Sequence, residues 1–256
     1  MAENYIKMKT ELNRKKVKRK KFIKILMAFI VLISVLITLC LKLAYFNVEK
    51  IEVVNNKNLS KEEVVKISKI SSGSNIFYIN LKEIRTNLLS NSYIMDVNIK
   101  RNFPSKIIIS VKERDAAFYI PKDNKFLIIG KDGVALEEKD TVENNKLIKL
   151  DGIDVKSAVA GKKLPVQDKR VIEFIGELTE LFNLNISKYS MTSVNVSNLL
   201  NINIFYNNMC VKIGTPDNIR KKLNKAINVI DTQGLIDKKG YIDVSYEGNP
   251  VFCIEK

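Results

Sequence analysis

Histidine and tryptophan are absent from this 256-residue chain, cysteine occurs three times and proline five times. Without histidine there is no imidazole to act as general base or metal ligand near neutral pH. The three cysteines, Cys40, Cys210 and Cys253, form no C-x-x-C pair. An ordinary Cys/His zinc site therefore cannot be assembled. Cys40 sits in an apolar run and reads as a small hydrophobe. Cys210 and Cys253 read as two buried strand cysteines, with a disulfide between them as the alternative. No Gly-rich phosphate loop is present, and no D-x-D-x-D-G pattern surrounds Asp132-Gly133. Internal repeats and low-complexity tracts are also missing. A Cys/His zinc site, an EF-hand loop, a Gly-rich phosphate loop and histidine-based chemistry are thus excluded, and no cofactor is implied.

Nucleophilic catalysis then reduces to a Ser/Lys dyad. Ser71, Ser72 and Ser74 with Lys69 nearby are the candidates for a membrane-anchored peptidase, but no Gly-flanked elbow supports them. Glu137-Glu138-x-Asp140 reads as a solvated loop, and no carboxylate pair is singled out for hydrolysis.

Positive charge is in excess: 43 Lys/Arg against 28 Asp/Glu, a net charge of +15. Nine of those basic residues crowd residues 1–21, opposed only by Glu3 and Glu11. Immediately after them comes FIKILMAFIVLISVLITLCL, Phe22–Leu41, uncharged from Ile25 onward. That uncharged part alone spans roughly 26 Å as a helix, and Phe22 and Ile23 bring it to bilayer thickness. Lys24 can lift its ammonium to the headgroups. Tyr45 and Phe46 fall where an interfacial aromatic belt belongs. The segment is too long for a signal-peptide core, and Leu43-Ala44-Tyr45 offers no small-residue cleavage site. A retained anchor is expected, with the basic tail 1–21 in the cytoplasm by the positive-inside rule and the rest outside. The span accounts for the basic tail, so nucleic acid is not called as a partner.

Beyond the span, VEKIEVV (48–54) alternates as a half-buried strand. NLSKEEVVKIS pairs Ser60 with Glu63 as a capping box ahead of Val64, Val65 and Ile67. Asn80 caps LKEIRTNLLS, whose Leu81, Ile84 and Leu88 share a face. YIMDVNIKR and KIIISVKER then form a hairpin about Asn102-Phe103-Pro104-Ser105. Ile94, Val97 and Ile99, and Ile107, Ile109 and Val111, are its buried residues. The basic residues of NIKRNFPSKIIISVKER alternate with core-facing ones. Only Phe103 interleaves with them, so the stretch reads as a solvated sheet face and not as a single-strand nucleic-acid platform.

A second unit begins near Asp115. AAFYI, KFLIIG and GVALEE read as strands with Lys131-Asp132-Gly133 as a turn, and KLIKL follows. An amphipathic helix over 168–183 shows Val171, Ile175, Leu178 and Phe182. SVNVS, INIFY and CVKIG come next, with Asn207-Asn208 turning between the last two. Thr215 and Pro216 are expected as N-cap and first-turn proline of IRKKLNKAINVID. That helix buries Ile219, Leu223, Ala226, Ile227 and Ile230, wets Arg220, Lys221, Lys222 and Lys225, and ends at Gly234. YIDVSY and VFCIE close the chain around Glu247-Gly248-Asn249-Pro250. The fold class is α+β: one N-terminal transmembrane helix, a β-α-α-β-β module, then a larger mixed β-sheet domain with two helices.

This order resembles the bacterial FtsQ/DivIB cell-division family. The resemblance rests on FNVEKIEVVNNKNLSKEEVV, GSNIFYIN, YIMDVNIKRNFPSKIIISVKER, KDGVALEE, VKIGTPDNIRKKLNKAINVI and YIDVSYEG, in that order, over about residues 46–254. Asp115 departs from the family habit of a proline after the E-R pair. The resemblance implies a tail (1–21), a transmembrane helix (22–45), a POTRA domain (46–115) and an FtsQ-type β domain (116–256). It implies a non-enzymatic divisome scaffold at the septum that helps regulate septal peptidoglycan synthesis. A Ser/Lys-type envelope peptidase and a peptidoglycan-binding module are the alternatives. Implied partners are FtsL and single-span proteins of the FtsB/DivIC type. Implied partner-binding residues are Tyr241, Asp243, Ser245, Tyr246, Gly248 and Phe252, acting by strand addition at an open sheet edge.

Overall fold

The computed structural model describes residues 2–142, 147–183 and 189–255, with side chains from residue 18 onward apart from those of 182–183. The chain opens with helix α1, Ala2–Lys42. Among the described residues only one segment is long and apolar enough to cross a membrane. It is Lys18–Lys42, 25 residues, with none of its most apolar window buried against the protein. By length and composition this segment suits a membrane span.

The chain divides into two compact units. The first comprises Met1–Val54, Lys61–Arg85 and Asn98–Ser110; the second comprises Asn55–Ser60, Thr86–Val97 and Val111–Lys256. After α1, a single 3₁₀ turn at Ala44–Phe46 leads into β1 (Lys50–Val54), α2 (Lys61–Ser68), α3 (Leu81–Leu89), β2 (Ile94–Asn102) and β3 (Lys106–Glu113). The expected β-α-α-β-β order is observed, and the sheet runs β1-β3-β2. β1 lies parallel to β3, with Lys50 opposite Lys106 and Val54 opposite Ser110.

In the first unit Val48, Val53, Val64, Ile76, Ile84, Ile107 and Ile109 are buried. The expected stripe on α2 is narrower than the sequence suggests, because Val65 and Ile67 stay half-exposed. Asn80 caps α3 as expected: its Oδ1 accepts the N–H of Lys82 (3.1 Å) and Glu83 (3.4 Å). The Phe103–Pro104 peptide in the β2–β3 turn is cis.

The second unit carries β4 (Ala116–Lys122), β5 (Lys125–Gly130), β6 (Ala135–Lys139), β7 (Ile148–Asp151), α4 (Arg170–Asn183) and β8 (Ser193–Asn195). β9 (Ile202–Tyr206), β10 (Met209–Gly214), α5 (Ile219–Gln233), β11 (Gly240–Asp243) and β12 (Val251–Ile254) complete it. The strands form one nine-stranded sheet in the order β12-β11-β10-β9-β8-β7-β4-β5-β6. β7 is parallel to β4 and β8, and β10 is parallel to β11. Both helices feed one core with the inner sheet face, α4 through Val171, Phe174, Ile175 and Leu178, α5 through Ile219, Leu223, Ala226 and Ile230. Phe182 lies outside the described side chains.

Two local expectations are corrected. α5 begins at Ile219, with Asn218 as N-cap in the left-handed region (φ 56°) and no side-chain cap bond. Thr215 does not cap it, because a bend at 215–216 and a turn at 217–218 separate it from the first helical residue; Lys222 Nζ instead reaches back to the Thr215 carbonyl (2.8 Å) and hydroxyl (3.4 Å). At the other end Gly234 closes the helix at φ 62°, as the left-handed C-cap position favours. The acidic run is not a solvated loop: Glu137 and Glu138 lie on β6. Tyr93 donates its hydroxyl to Glu137, and Lys122 Nζ pairs with Glu138 at 2.7 Å.

The alternation of β3 continues past Ile107, Ile109 and Val111 and turns Glu113 inward, leaving it buried. Its carboxylate accepts backbone N–H groups from Lys57 (2.9 Å), Asn58 (2.7 Å) and Leu59 (3.3 Å). Arg114, pointing the other way, donates from Nη1 to the carbonyls of Ser92 and Ile94 (both 2.8 Å). Its Nε donates to Asp132 (2.8 Å). Glu113→Ala strips three donors of their acceptor. It is expected to lower unfolding free energy by about 2–3 kcal/mol, whereas Glu62→Ala on the exposed face of α2 stays within about 0.5 kcal/mol. Chemical denaturation of the purified protein reads the difference.

Candidate functional site

β12 is one margin of the nine-stranded sheet, with β11 on its single paired side. Its sequence, Val251-Phe252-Cys253-Ile254, is apolar and uncharged, and all four side chains are exposed. An edge strand of this composition lacks the charges and prolines that normally blunt an edge. The register shows what the edge continues. Phe252 lies opposite Ile242, Ile242 opposite Val211, Val211 opposite Ile204, Ile204 opposite Val194, and Val194 opposite Leu150. Directly opposed residues share a face. Every member of that row is buried except Phe252, which is 41% exposed. Phe252 is therefore the open end of an apolar row that crosses six of the nine strands.

The other five residues marked by the sequence fall in different surroundings. Tyr241 lies opposite both Cys210 and Cys253 on the outer face. Its ring sits under Lys212 Nζ, 3.7 Å from the centroid, a cation–π contact. Asp243, Ser245, Tyr246 and Gly248 come together in the β11–β12 connection. Asp243 Oδ1 accepts the Ser245 N–H (3.0 Å) and hydroxyl (2.6 Å), which turns the chain out of β11. The Tyr246 hydroxyl donates to the Asn249 carbonyl at 3.1 Å, and Lys225 Nζ of α5 donates to the Gly248 carbonyl at 2.8 Å. Beside this turn a cleft of about 200 Å³ carries both signs of charge, Lys221, Lys222 and Lys225 with Asp217 and Glu247. Lys222 and Lys225, expected to face water, are instead tethers, each engaged with a backbone carbonyl.

Sequence reasoning missed Gly240. A β-carbon there meets the Cys253 carbonyl oxygen at 2.1 Å, so only glycine lets β12 lie against β11 at this point. The glycine directly before YIDVSY was the available signal. The cysteines are also placed differently from expectation. Cys210 is half-buried and Cys253 exposed, both with free thiols. They flank Tyr241 from the two strands on either side of it. Two strand spacings of about 4.8 Å separate them, beyond the reach of a disulfide. Burial pushes the Cys210 thiol above its usual range; Lys212 opposes this and Asp243 adds to it.

Among the described residues no group of His, Cys, Asp and Glu is placed to hold a metal ion. Ser72, one of the serines weighed for a Ser/Lys dyad, donates its hydroxyl to the Val48 carbonyl at 3.3 Å. What the C-terminal margin offers chemically is backbone N–H and C=O groups, an apolar row end and a cleft of mixed charge.

Two family models match the chain: the POTRA domain, FtsQ-type, over residues 46–114, and Cell division protein FtsQ/DivIB, C-terminal, over residues 118–245. The second match ends before β12. Over 256 residues the chain is 46% identical to Cell division protein DivIB of Clostridium botulinum (strain Hall), covering 100% of this chain and 97% of that protein. The protein of the same name from Clostridium acetobutylicum is 43% identical over 224 residues, 88% of this chain and 89% of its own. That from Bacillus anthracis is 30% identical over 180 residues, 66% and 63%.

Gly240→Ala is expected to detach β12 at an overpacking cost of about 1–3 kcal/mol. Hydrogen exchange will show faster exchange at Val251–Ile254 with β9 and β10 unchanged. Thiol alkylation at neutral pH will label Cys253 well before Cys210. The Cys210 rate will climb as pH rises, because its raised pKa withholds the thiolate. Non-reducing peptide mapping will recover no Cys210–Cys253 crosslink.

Proposed function

The chain belongs to the FtsQ/DivIB family of cell-division proteins, and from that premise we propose that it is a non-enzymatic scaffold of the division machinery. In this reading residues 22–45 cross the cytoplasmic membrane once, with tail 1–21 inside. A POTRA domain over 46–115 and an FtsQ-type β domain over 116–256 stand outside at the septum. They hold other division proteins, FtsL and single-span proteins of the FtsB/DivIC type, and so help regulate septal peptidoglycan synthesis. The basic tail and the Lys18–Lys42 helix support the orientation.

The observation that carries the partner assignment is the bare β12 margin with Phe252 as the open end of a buried row. A partner segment pairing with β12 gains main-chain hydrogen bonds from the edge and a place for an apolar side chain next to Phe252. On the opposite face Tyr241, held under Lys212, supplies a rigid aromatic surface. Asp243, Ser245, Tyr246 and Gly248 fix the turn that delivers β12.

Copurification of the full-length chain with its FtsL- and DivIC-like proteins tests this. Phe252→Ala is expected to weaken capture by about tenfold or more, as loss of a central aromatic anchor does. Leu200→Ala, at a still more exposed apolar side chain in a loop away from the margin, should leave capture unchanged. Undiminished capture by a chain ending at Asn249 discards the edge as the binding surface.

A further inference from the structure

The first unit is fastened to the end of the membrane helix by a buried side chain. Asn75, 8% exposed, donates from Nδ2 to the carbonyls of Cys40 (3.0 Å) and Leu41 (3.2 Å). These are among the last carbonyls of α1, which have no partner further along the helix. Its Oδ1 accepts the Phe77 N–H at 3.0 Å. On either side the backbone repeats the link: Val48 N–H donates to Ser74 (2.9 Å) and Ile76 N–H to Phe46 (2.8 Å). The loop at 74–78 is thus set at the level where α1 ends, not hung from a free linker.

That loop turns aromatic side chains outward. Ile76 is fully buried, and Arg101 holds the loop from behind, Nε to the Ile76 carbonyl (2.9 Å) and Nη2 to the Ile79 carbonyl (2.6 Å). Neighbouring Phe77 and Tyr78 are left facing out, 39% and 67% exposed. Phe77 stacks against Phe103 of the β2–β3 turn, with centroids 5.3 Å apart. It also meets Phe46 at 5.4 Å, and Phe46 meets Tyr45 at 5.2 Å. Phe103 is 55% and Tyr45 66% exposed. These rings come from three separate stretches of chain and gather directly beside the exit of an apolar helix. Water is a poor cover for such a cluster. Amphipathic rings at headgroup depth are what a membrane interface takes up.

We propose that Tyr45, Phe77, Tyr78 and Phe103 lie in the interfacial layer of the same bilayer that α1 crosses, so that the first unit rests on the lipid. The occupant is lipid because the patch is continuous with a segment that itself requires lipid, through hydrogen bonds to that segment's last carbonyls. This rests on the single-span reading above. Lys42 and Lys100, both exposed, lie on the chain beside these rings and suit anionic headgroups.

The chain has no tryptophan, so one introduced indole reports alone. Phe77→Trp, Tyr78→Trp and Phe103→Trp replace exposed rings and keep aromatic character. Each full-length variant is reconstituted in phosphatidylethanolamine/phosphatidylglycerol vesicles, with lipids brominated either near the headgroup or near the chain ends. Ile30→Trp, in the middle of the span, is the reference. The expected result is blue-shifted emission at the three sites, losing most of its intensity to the headgroup-proximal bromines and little to the deep ones. Ile30→Trp should show the reverse. If Ile30→Trp is quenched by deep bromines and the three sites by none, the anchor stands and the proposal is overturned. That holds whether their emission is water-like, as on a wet patch, or blue-shifted, as under a second copy of the chain. If Ile30→Trp is itself unquenched, the spanning reading fails and the proposal with it.

Discussion

Two adjacent residues, Glu113 and Arg114, hold the second unit together, and their chemistry follows from where a strand ends. Neighbours on a strand point to opposite faces. Glu113 therefore turns into the interior and Arg114 out of it. The carboxylate gathers the backbone of 57–59, and the guanidinium gathers the carbonyls of Ser92 and Ile94 together with Asp132. Three stretches far apart in sequence are tied at one place by charge-assisted bonds, each stronger than a neutral one. Asp115 extends the arrangement. Partial burial pushes its carboxyl up, but Lys57 and Lys131 outweigh that and hold it below the usual range. Where the family often places a proline after the E-R pair, this chain places a charge that bridges two lysines.

The strands were legible because their periodicity is strong. Ile107, Ile109 and Val111 announce an inner face, and the in-register alternation is what the structure contains. The same rule, carried one step further, points Glu113 inward. Its charge argued against burial, and only the three N–H groups awaiting it resolve the conflict. The start of α5 was misplaced for a related reason. Thr215-Pro216 is a good local start signal, but the chain spends 215–218 on a bend and a turn, and Asn218 in the left-handed region opens the helix instead. Asn75 and Gly240 were illegible. An asparagine in an irregular loop carries no sign that a helix end thirty-five residues earlier needs a donor. A glycine before a strand does not say which carbonyl will pass over it. The marked C-terminal residues sort likewise: sequence singles out the segment, while the register alone separates Phe252 from the turn-forming Asp243, Ser245, Tyr246 and Gly248.

The β12 margin carries a tension between stability and use. Sheet edges in soluble proteins are commonly guarded because bare backbone recruits other chains. Here the guard is missing on the side where the buried row runs out. The strand itself is nonetheless held in place. Lys225 pins the turn, Gly240 admits β12, and Lys239 pairs with Glu255 just beyond it at 2.6 Å. An edge that is held this firmly and left this bare is consistent with a strand kept ready for pairing.

Magnitudes indicate why such an edge suits a tethered protein. Four residues of added strand give a few main-chain hydrogen bonds at about 1 kcal/mol each. Covering Phe252 adds about 1.5–3 kcal/mol. Against this stands an association cost of at least about 4 kcal/mol in free solution. The edge alone therefore binds weakly when dilute, which limits unwanted pairing of the chain with itself. Confinement changes the balance without any new contact. In the proposed reading a partner anchored in the same membrane would meet the edge at a raised effective concentration, which lowers the affinity the edge must supply by itself. Under the proposed function the apolar helix and the unguarded strand complement each other: the first would supply concentration, and the second needs it.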